Sequence, residues 1–266
     1  MDNRPIGVFD SGIGGLTVLR EIKKQIPNEN LIYYADTARV PYGPRPKEEI
    51  LRFSKEAVDF LIQKDIKVLV IACNTVTAIA YDYLIENIDI PVLGVIDPGV
   101  RAVMNAGDIK TLGLIATKAT VESMQYQNRL YKGDAGLKII ARACPMLVSI
   151  VEEGWAGTDI SKLIIERYLQ DFKDSSMDAI ILACTHFPVL RDQIAEFLTD
   201  DIMIIDPAEE TAKELKRILK DSDIENGLKD NTDTKFYVSD KADKFKSIAE
   251  KLVDINEVFE VAIGSR

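Results

Sequence analysis

The chain alternates between short runs of apolar, often β-branched residues and longer stretches whose apolar positions recur at helical spacing. One such stretch places Ile50, Phe53, Ala57, Phe60 and Leu61 on one face of a predicted amphipathic helix. Nearly continuous apolar strands separated by helices are typical of parallel sheets covered by helices on both faces, so we predict an α/β fold. The predicted strands are Ile6–Phe9, Leu31–Ala35, Val68–Ala72, Val92–Val95, Thr111–Ala116, Lys138–Ala141, Ala179–Ala183, Ile202–Ile205 and Lys235–Ser239.

Two strand-end segments occur twice along the chain. Ile6–Ser11 resembles Leu112–Thr117 at an offset of 106 residues, and Val68–Thr75 resembles Ala179–His186 at an offset of 111. Apolar strands can look alike by chance, but the Ala-Cys pair shared by both members of the second match argues against chance. The repeats indicate two pseudo-symmetric domains, each with a mostly parallel sheet flanked by helices. Ligands of such sheets bind at the carboxyl ends of the strands, here in the cleft between the domains.

The domain boundaries are predicted at two proline-containing segments. Asp97-Pro98-Gly99 breaks the first pattern, and Asp206-Pro207 closes the second. We therefore expect residues 1–97 plus 207–266 to form one domain, because the last segment is most naturally placed back against the first half. Residues 98–206 form the other domain. A polar stretch within the last segment is predicted to be an exposed loop, Lys220–Thr234.

The composition excludes some classes of binding partner. With 266 residues, of which 47% are hydrophobic, the chain can bury one large core or two of ordinary size. A formal net charge of −10 argues against nucleic acid or an anionic membrane as the main partner, because both require a basic face. A small anionic substrate needs only a local pocket of hydrogen-bond donors and remains compatible with this charge.

The termini and cysteines favour a cytoplasmic protein. The N-terminal segment Met1–Pro5 is not a basic start followed by an apolar stretch, so no signal peptide is expected. The longest apolar runs, such as Val68–Cys73, are too short to span a bilayer. Three widely separated cysteines without a CxxC pair indicate reduced thiols rather than disulfides, and they argue against a structural zinc site.

Two of the cysteines occupy matching positions. Cys73 follows a strand and precedes a helix, whose N-terminal dipole favours a thiolate. A free cysteine is usually a small buried hydrophobic residue, and Cys144 is interpreted in that way. Cys184 repeats the context of Cys73, which packing alone does not explain. We expect these two thiols to face each other across the cleft.

Other residues at strand ends provide possible helpers for the thiols. His186, the only histidine, lies two residues from Cys184 and can hold a thiolate or shuttle a proton, while Asp10 can serve as a base for Cys73. The glycines of Asp10–Leu16 allow close approach of the backbone, although this segment matches neither a dinucleotide fingerprint nor a P-loop. The loop Asp36–Pro44 follows another strand and offers backbone N–H donors.

Paired reactive thiols serve redox chemistry, metal binding or acid–base chemistry. Redox pairs usually form CxxC, and a metal would need more ligands than His186 alone, so neither use is favoured. One thiol on each face of a carbon is what inversion requires: one thiolate removes a proton while the opposite thiol delivers another. Thiols titrate near pH 8.5, so both protonation states are accessible after modest tuning.

Four segments in combination resemble the bacterial glutamate racemases of the aspartate/glutamate racemase superfamily, over nearly the whole chain. These segments are Phe9–Val18 (FDSGIGGLTV), Asp36–Gly43 (DTARVPYG), Ala72–Thr75 (ACNT) and Ala183–Pro188 (ACTHFP). The resemblance implies cofactor-independent interconversion of L- and D-glutamate, which supplies D-glutamate for peptidoglycan, by a cytoplasmic homodimer. It also implies no need for a UDP-muramoyl activator, because this chain has no N-terminal extension.

The resemblance also assigns roles to individual residues. Cys73 would act on the α-proton of D-glutamate with help from Asp10, and Cys184 on that of L-glutamate with help from His186 and Glu152. The implied substrate-binding residues are Asp10, Ser11, Pro41, Tyr42, Gly43, Asn74, Thr75, Thr117, Thr185 and His186.

Three other functions remain open at this point. One is an aspartate racemase or related isomerase, although Thr185-His186 favours glutamate. Another is a two-lobed protein that binds a small acid without converting it, since the fold alone permits that. The third is a Cys-His hydrolase that uses only Cys184 and His186.

Overall fold

The computed structural model describes residues 1–173, 175–198, 201–227 and 232–264. Its strands are β1 Ile6–Asp10, β2 Leu31–Ala35, β3 Val68–Ile71, β4 Val92–Gly94, β5 Thr111–Ala116, β6 Lys138–Ala143, β7 Ala179–Ala183, β8 Met203–Ile205, β9 Thr234–Val238 and β10 Val258–Glu260. Its α-helices are α1 Leu16–Gln25, α2 Lys47–Ile62, α3 Asn74–Asn87, α4 Ile96–Asn105, α5 Lys118–Glu122, α6 Gln125–Gly133, α7 Pro145–Glu152, α8 Asp159–Leu169, α9 Arg191–Leu198, α10 Ala208–Asp221 and α11 Ala242–Ala249. None of the helices in these ranges is both long and apolar enough to cross a membrane.

The strands form two parallel sheets. The first has the order β10-β9-β2-β1-β3-β4, and the second has the order β6-β5-β7-β8. All eight pairings between neighbouring strands are parallel. The central strands β1, β3, β5 and β7 are buried along almost their whole length, which explains their nearly continuous apolar sequences. The predicted α/β class is confirmed.

The two sheets repeat one arrangement. In the first sheet β1 lies between β2 and β3 with β4 beyond, and in the second β5 lies between β6 and β7 with β8 beyond. Cys73 follows β3 and Cys184 follows β7, so the two thiols leave equivalent strands. The internal repeat seen in the sequence therefore corresponds to a repeat of strand order.

All nine predicted strands are present, with boundaries within two residues of the prediction. The sequence missed β10, a three-residue edge strand that is only partly buried and so has no apolar run. Of the predicted loop 220–234, the first two residues extend α10, the described residues are largely exposed, and residues 228–231 lie outside the described part.

The interpretation of Asp97-Pro98-Gly99 as a break is wrong. These residues lie in the first turn of α4, where proline is tolerated because the backbone N–H groups there have no intrahelical partner. The domain division at residues 97/98 and 206/207 stays a prediction. The C-terminal strands β9 and β10 nevertheless belong to the first sheet, where β9 pairs with β2.

A buried lysine ties together three separate segments of the chain. The Lys67 ammonium lies 2.6 Å from a carboxylate oxygen of Glu29 and donates hydrogen bonds to the backbone oxygens of Asp2 and Ile224. We expect Lys67→Met to lower the free energy of unfolding by about 3–5 kcal/mol, because it leaves Glu29 buried without its cation. Urea unfolding followed by circular dichroism measures this loss.

The matched control is Lys110→Met. Lys110 pairs with Asp108 at the surface, where both side chains are more than three-quarters exposed. Its loss should change the unfolding free energy by less than about 1 kcal/mol. Equal effects of the two substitutions would contradict the structural role of Lys67.

Candidate active site

Both matched cysteines line one cavity of about 370 Å³ between the two sheets. Each thiol reaches it from the carboxyl end of its own sheet, as expected for parallel α/β folds. Eleven of the thirteen residues predicted for the site line this cavity, and the exceptions are Asp10 and Glu152. The complete lining is Ser11, Pro41, Tyr42, Gly43, Pro44, Cys73, Asn74, Thr75, Thr117, Pro145, Val148, Cys184, Thr185 and His186.

Cys73 precedes the first residue of α3, in an extended conformation at the helix N-terminus. Its Sγ lies 3.7 Å from Ser11 Oγ. Burial, together with the nearby Asp10 carboxylate, raises the pKa of Cys73 to about 12, although Ser11 and the Val76 backbone N–H act in the opposite direction. The expected preference of the helix dipole for a thiolate is thus outweighed by burial, and Cys73 is a protonated thiol at neutral pH.

Asp10 lies at the end of β1, fully buried beneath the cavity wall. Its two oxygens accept hydrogen bonds from the backbone N–H of Gly12, at 2.9 Å, and from Thr185 Oγ1, at 3.0 Å. Burial raises the pKa of Asp10 to about 6, against the opposing effect of the His186 charge. A carboxyl group with this pKa can exchange a proton near neutral pH.

Cys184 has a different set of neighbours. His186 Nδ1 lies 3.8 Å from its Sγ, and His186 Nε2 lies 2.6 Å from Glu152 Oε1. Burial alone would lower the pKa of His186, but the hydrogen bonds to Cys184 and Glu152 outweigh it and raise the pKa well above 6.5. These contacts therefore favour the charged form of His186 beside Cys184. Glu152 also accepts a hydrogen bond from the backbone N–H of Ile13 at 2.9 Å.

The glycines after β1 allow this loop to pass between the reactive groups. A Cβ atom on Gly12 would collide with the Glu152 carboxylate, and one on Gly14 would collide with the His186 ring. A Cβ on Gly15 would come within 2.5 Å of Asp10 Cβ. The sequence predicted that the backbone passes close to another group at these glycines. In the structure, those groups are the side chains of Asp10, Glu152 and His186.

A buried carboxylate fixes the loop between β2 and α2. Asp36 Oδ2 accepts hydrogen bonds from Arg39 Nε at 2.6 Å and from the hydroxyl of Tyr42. Asp36 Oδ1 accepts one from Ser239 Oγ, just after β9, at 2.8 Å. These bonds hold Tyr42 and Gly43 against the cavity.

Two hydrogen bonds cross between the halves at the cavity wall. The Tyr126 hydroxyl donates to Asn74 Oδ1 at 2.7 Å, which leaves the Asn74 amide N–H groups to act as donors elsewhere. Thr75 Oγ1 and Thr117 Oγ1 lie 2.8 Å apart. Asn74, Thr75 and Thr117 are thereby held in fixed orientations.

Sequence reasoning missed four residues of this site. Pro44 is the last residue of the predicted loop 36–44, and Pro145 follows Cys144 at the end of β6, so their position after strands was a usable signal. Val148 and Tyr126 lie on helices and carry no such signal. Cys144 is buried outside the cavity lining, with a pKa raised to about 12 by burial, in agreement with its structural interpretation. Within the described ranges, no cluster of three or more His, Cys, Asp or Glu side chains is placed to hold a metal ion.

Two parallel α/β halves each contribute one thiol to a shared cavity that is also lined by a histidine, and such an arrangement is able to perform acid–base chemistry on a small molecule. Residues 6–215 match the model of the Asp/Glu/hydantoin racemase family, and the chain belongs to this family.

Individual relatives extend this assignment over nearly the full length. The chain is 41% identical over 253 residues to a glutamate racemase of Listeria innocua, with 95% of both proteins covered. It is similar to the crystal structure of glutamate racemase from Francisella tularensis in complex with D-glutamate, with a TM-score of 0.91, 38% identity and 98% of each chain covered. It is also similar to the glutamate racemase isoform RacE1 of Bacillus anthracis, with a TM-score of 0.92, 38% identity and 98% of each chain covered.

Proposed function

We propose that this protein interconverts L- and D-glutamate without a cofactor and supplies D-glutamate for peptidoglycan synthesis. The observation that carries the proposal is that Cys73 and Cys184, which follow equivalent strands of the two sheets, line one cavity, each with its own ionisable neighbour. The choice of glutamate as substrate is supported by the names of the full-length relatives.

In the proposed mechanism, the Cys184 thiolate removes the α-proton of L-glutamate. The Cys73 thiol then delivers its own proton to the opposite face, which gives D-glutamate and leaves Cys73 as the thiolate. The His186 cation stabilises the Cys184 thiolate, and Asp10 assists proton exchange at Cys73. The reverse reaction uses the same groups in exchanged roles.

The remaining cavity residues are proposed to bind the substrate. Its two carboxylates and ammonium group require several donors and acceptors on both sides of the reacting carbon. The proposed set is Asp10, Ser11, Pro41, Tyr42, Gly43, Asn74, Thr75, Thr117, Thr185 and His186, in which Asp10 acts through Thr185 rather than from the cavity surface.

Cellular context and assembly belong to the same proposal. We expect a cytoplasmic homodimer that works without the UDP-muramoyl precursor. Light scattering measures the mass in solution. A rate increase on adding the precursor would contradict the expected independence.

The test of the reaction uses purified protein in heavy water with each enantiomer of glutamate and of aspartate. We expect deuterium at Cα of glutamate, together with formation of the opposite enantiomer, in protein dialysed free of pyridoxal phosphate and treated with a metal chelator. Deuterium exchange at Cα of aspartate but not of glutamate would show that aspartate, and not glutamate, is the substrate. Binding of glutamate without exchange would instead indicate a binding protein.

The helper role of Glu152 predicts a change in pH dependence. Glu152→Gln removes the carboxylate beside His186, so the pKa of His186 falls toward its ordinary value. His186 then loses its charge at a lower pH, and the Cys184 thiolate loses its counter-ion over the neutral range. We expect the rising limb of the kcat/KM profile with L-glutamate to move to higher pH by on the order of one unit.

The neighbouring Glu153→Gln provides the control for this profile. Glu153 is exposed and pairs with Lys244 at 2.8 Å, away from His186. Its profile should match that of the unmodified protein. If the pH profile of kcat/KM is unshifted in Glu152→Gln, Glu152 does not have the proposed helper role.

A further inference from the structure

Tyr33 is a fully buried side chain of β2 that the proposed mechanism does not use. Its ring packs against Phe236 and Phe245, with ring centroids 6.2 and 6.1 Å away. Its hydroxyl donates a hydrogen bond of 2.6 Å to the backbone oxygen of Gly12, in the loop that follows β1. Buried hydroxyl groups are usually paired, so this bond alone gives Tyr33 no role in the reaction.

The peptide bond that Tyr33 contacts also holds Glu152. The oxygen of Gly12 and the N–H of Ile13 belong to one trans peptide bond, so the two groups point in opposite directions. On the side away from Tyr33, the Ile13 N–H donates to Glu152 Oε1 at 2.9 Å. Fixing the carbonyl therefore fixes the direction of the N–H, and the bond from Tyr33 also polarises the N–H and strengthens it as a donor.

The residue at position 12 makes this support necessary. A Cβ on Gly12 would lie 2.0 Å from Glu152 Oε1, so only glycine fits between the loop and the carboxylate. Glycine leaves the backbone free to turn, and the orientation of its peptide bond then depends on hydrogen bonds from outside the loop.

Glu152 Oε1 is also the atom that faces the histidine. It lies 2.6 Å from His186 Nε2, while His186 Nδ1 lies 3.8 Å from Cys184 Sγ. The ionisable groups that act on His186 are Glu152 of α7, Cys184 after β7 and Asp10 of β1. Asp10 is bonded to the N–H of Gly12, which belongs to the preceding peptide bond. Tyr33 is therefore connected to His186 through Glu152.

We propose that Tyr33 is a positioning residue for the Cys184 side of the site, whose hydroxyl orients the Gly12–Ile13 peptide bond so that it holds the Glu152 carboxylate against His186. The importance of this contact for catalysis rests on the proposed racemisation. Without the hydroxyl the peptide bond turns more freely, so the carboxylate is held less firmly and favours the charged imidazole less.

The titration of His186 tests this connection directly, because His186 is the only histidine in the chain. Protein without an affinity tag, labelled with isotope-enriched histidine, gives one imidazole signal whose NMR shift reports the midpoint. We expect Tyr33→Phe to lower this midpoint by roughly half a unit, since burial of His186 is then less well offset by Glu152. The rising limb of the kcat/KM profile with L-glutamate should move in the same direction as in Glu152→Gln, and by less.

The next residue of the same strand provides the matched control. Tyr34 is also fully buried, but it packs in the core on the other face of the sheet. Its hydroxyl has no hydrogen-bond partner in the part of the chain that the structure describes. Tyr34→Phe should leave the His186 midpoint unchanged. If Tyr33→Phe does not fold, para-fluorophenylalanine at position 33 fills the space of the hydroxyl without donating a hydrogen bond.

A double variant separates positioning from general loosening of the site. Because Tyr33 acts through Glu152, adding Tyr33→Phe to Glu152→Gln should lower the midpoint no further. An unchanged midpoint in Tyr33→Phe overturns the positioning role, as does an additive fall in the double variant or an equal fall in Tyr34→Phe. The titration needs no turnover, so absence of racemisation would overturn the proposed function and leave the measured contact between Tyr33 and His186 standing.

Discussion

Serine in place of either cavity cysteine is expected to reduce glutamate racemisation by at least about 10²–10⁴-fold, the usual contribution of a positioned acid or base. The substitution exchanges sulfur for oxygen in nearly the same volume, so the walls around Cys73 and Cys184 remain packed. The serine hydroxyl is a much weaker acid than the thiol, so it neither forms the base nor delivers the proton at neutral pH. Chiral chromatography of the products measures the loss.

The two variants should also differ from each other in heavy water. Cys73→Ser keeps Cys184, which we expect to place deuterium into L-glutamate without inversion. Cys184→Ser should do the same to D-glutamate. The assignment of each thiol to its enantiomer rests on the family resemblance, and this experiment checks it directly.

Cys144→Ser is the matched control for both variants. Cys144 is buried at the end of β6 outside the cavity lining, and its Sγ lies 3.8 Å from the backbone oxygen of Arg142. We expect the Cys144→Ser variant to racemise glutamate at the same rate as the unsubstituted protein. Full activity in Cys73→Ser would reject the two-thiol mechanism and leave a reaction that needs only Cys184 and His186.

Gly14→Ala is expected to cause the second large loss. The added methyl group would overlap His186 Nδ1 and lie 2.6 Å from Thr185 Oγ1, so the ring must leave its present position beside Cys184. Displacement of a reacting group by about 1 Å can cost about 10²-fold in rate. We expect a loss of that size in kcat, measured with both enantiomers, with unfolding stability reduced by about 1–3 kcal/mol.

Gly136→Ala controls for the general effect of adding a methyl group. Gly136 lies in an exposed turn, where the nearest atom to a new Cβ is Asp134 Oδ1 at 3.3 Å. Its activity should be unchanged. Normal kcat in Gly14→Ala would show that the His186 position tolerates movement.

Much of the fold and many of the cavity-lining positions were accessible from sequence because they depend on local patterns. Buried parallel strands produce apolar runs, and the residues that follow them meet at one edge of the sheet. This places Ser11, Cys73, Thr117 and Cys184 in one region without knowledge of any distance. The roles of these residues remain predictions.

The features that sequence reasoning missed depend on contacts between distant segments. The protonated state of Cys73 follows from its burial in the folded protein, which no local pattern reports. Tyr126 reaches Asn74 across 52 positions in the chain, from a helix whose apolar spacing shows only that it packs. Asp97-Pro98-Gly99 contains typical turn residues, yet the helix N-terminus accepts them.

The pairing of β2 with β9 also determines when the protein can become active during synthesis. β2 ends at Ala35, but its neighbour in the sheet begins only at Thr234. In a nascent chain, β2 therefore remains an unpaired edge until about 200 further residues have been synthesised, an exposure that favours aggregation. The contact of Ser239 with Asp36 forms at the same late stage. Cavity assembly is thus expected after β9 emerges, even though both thiols have been translated long before.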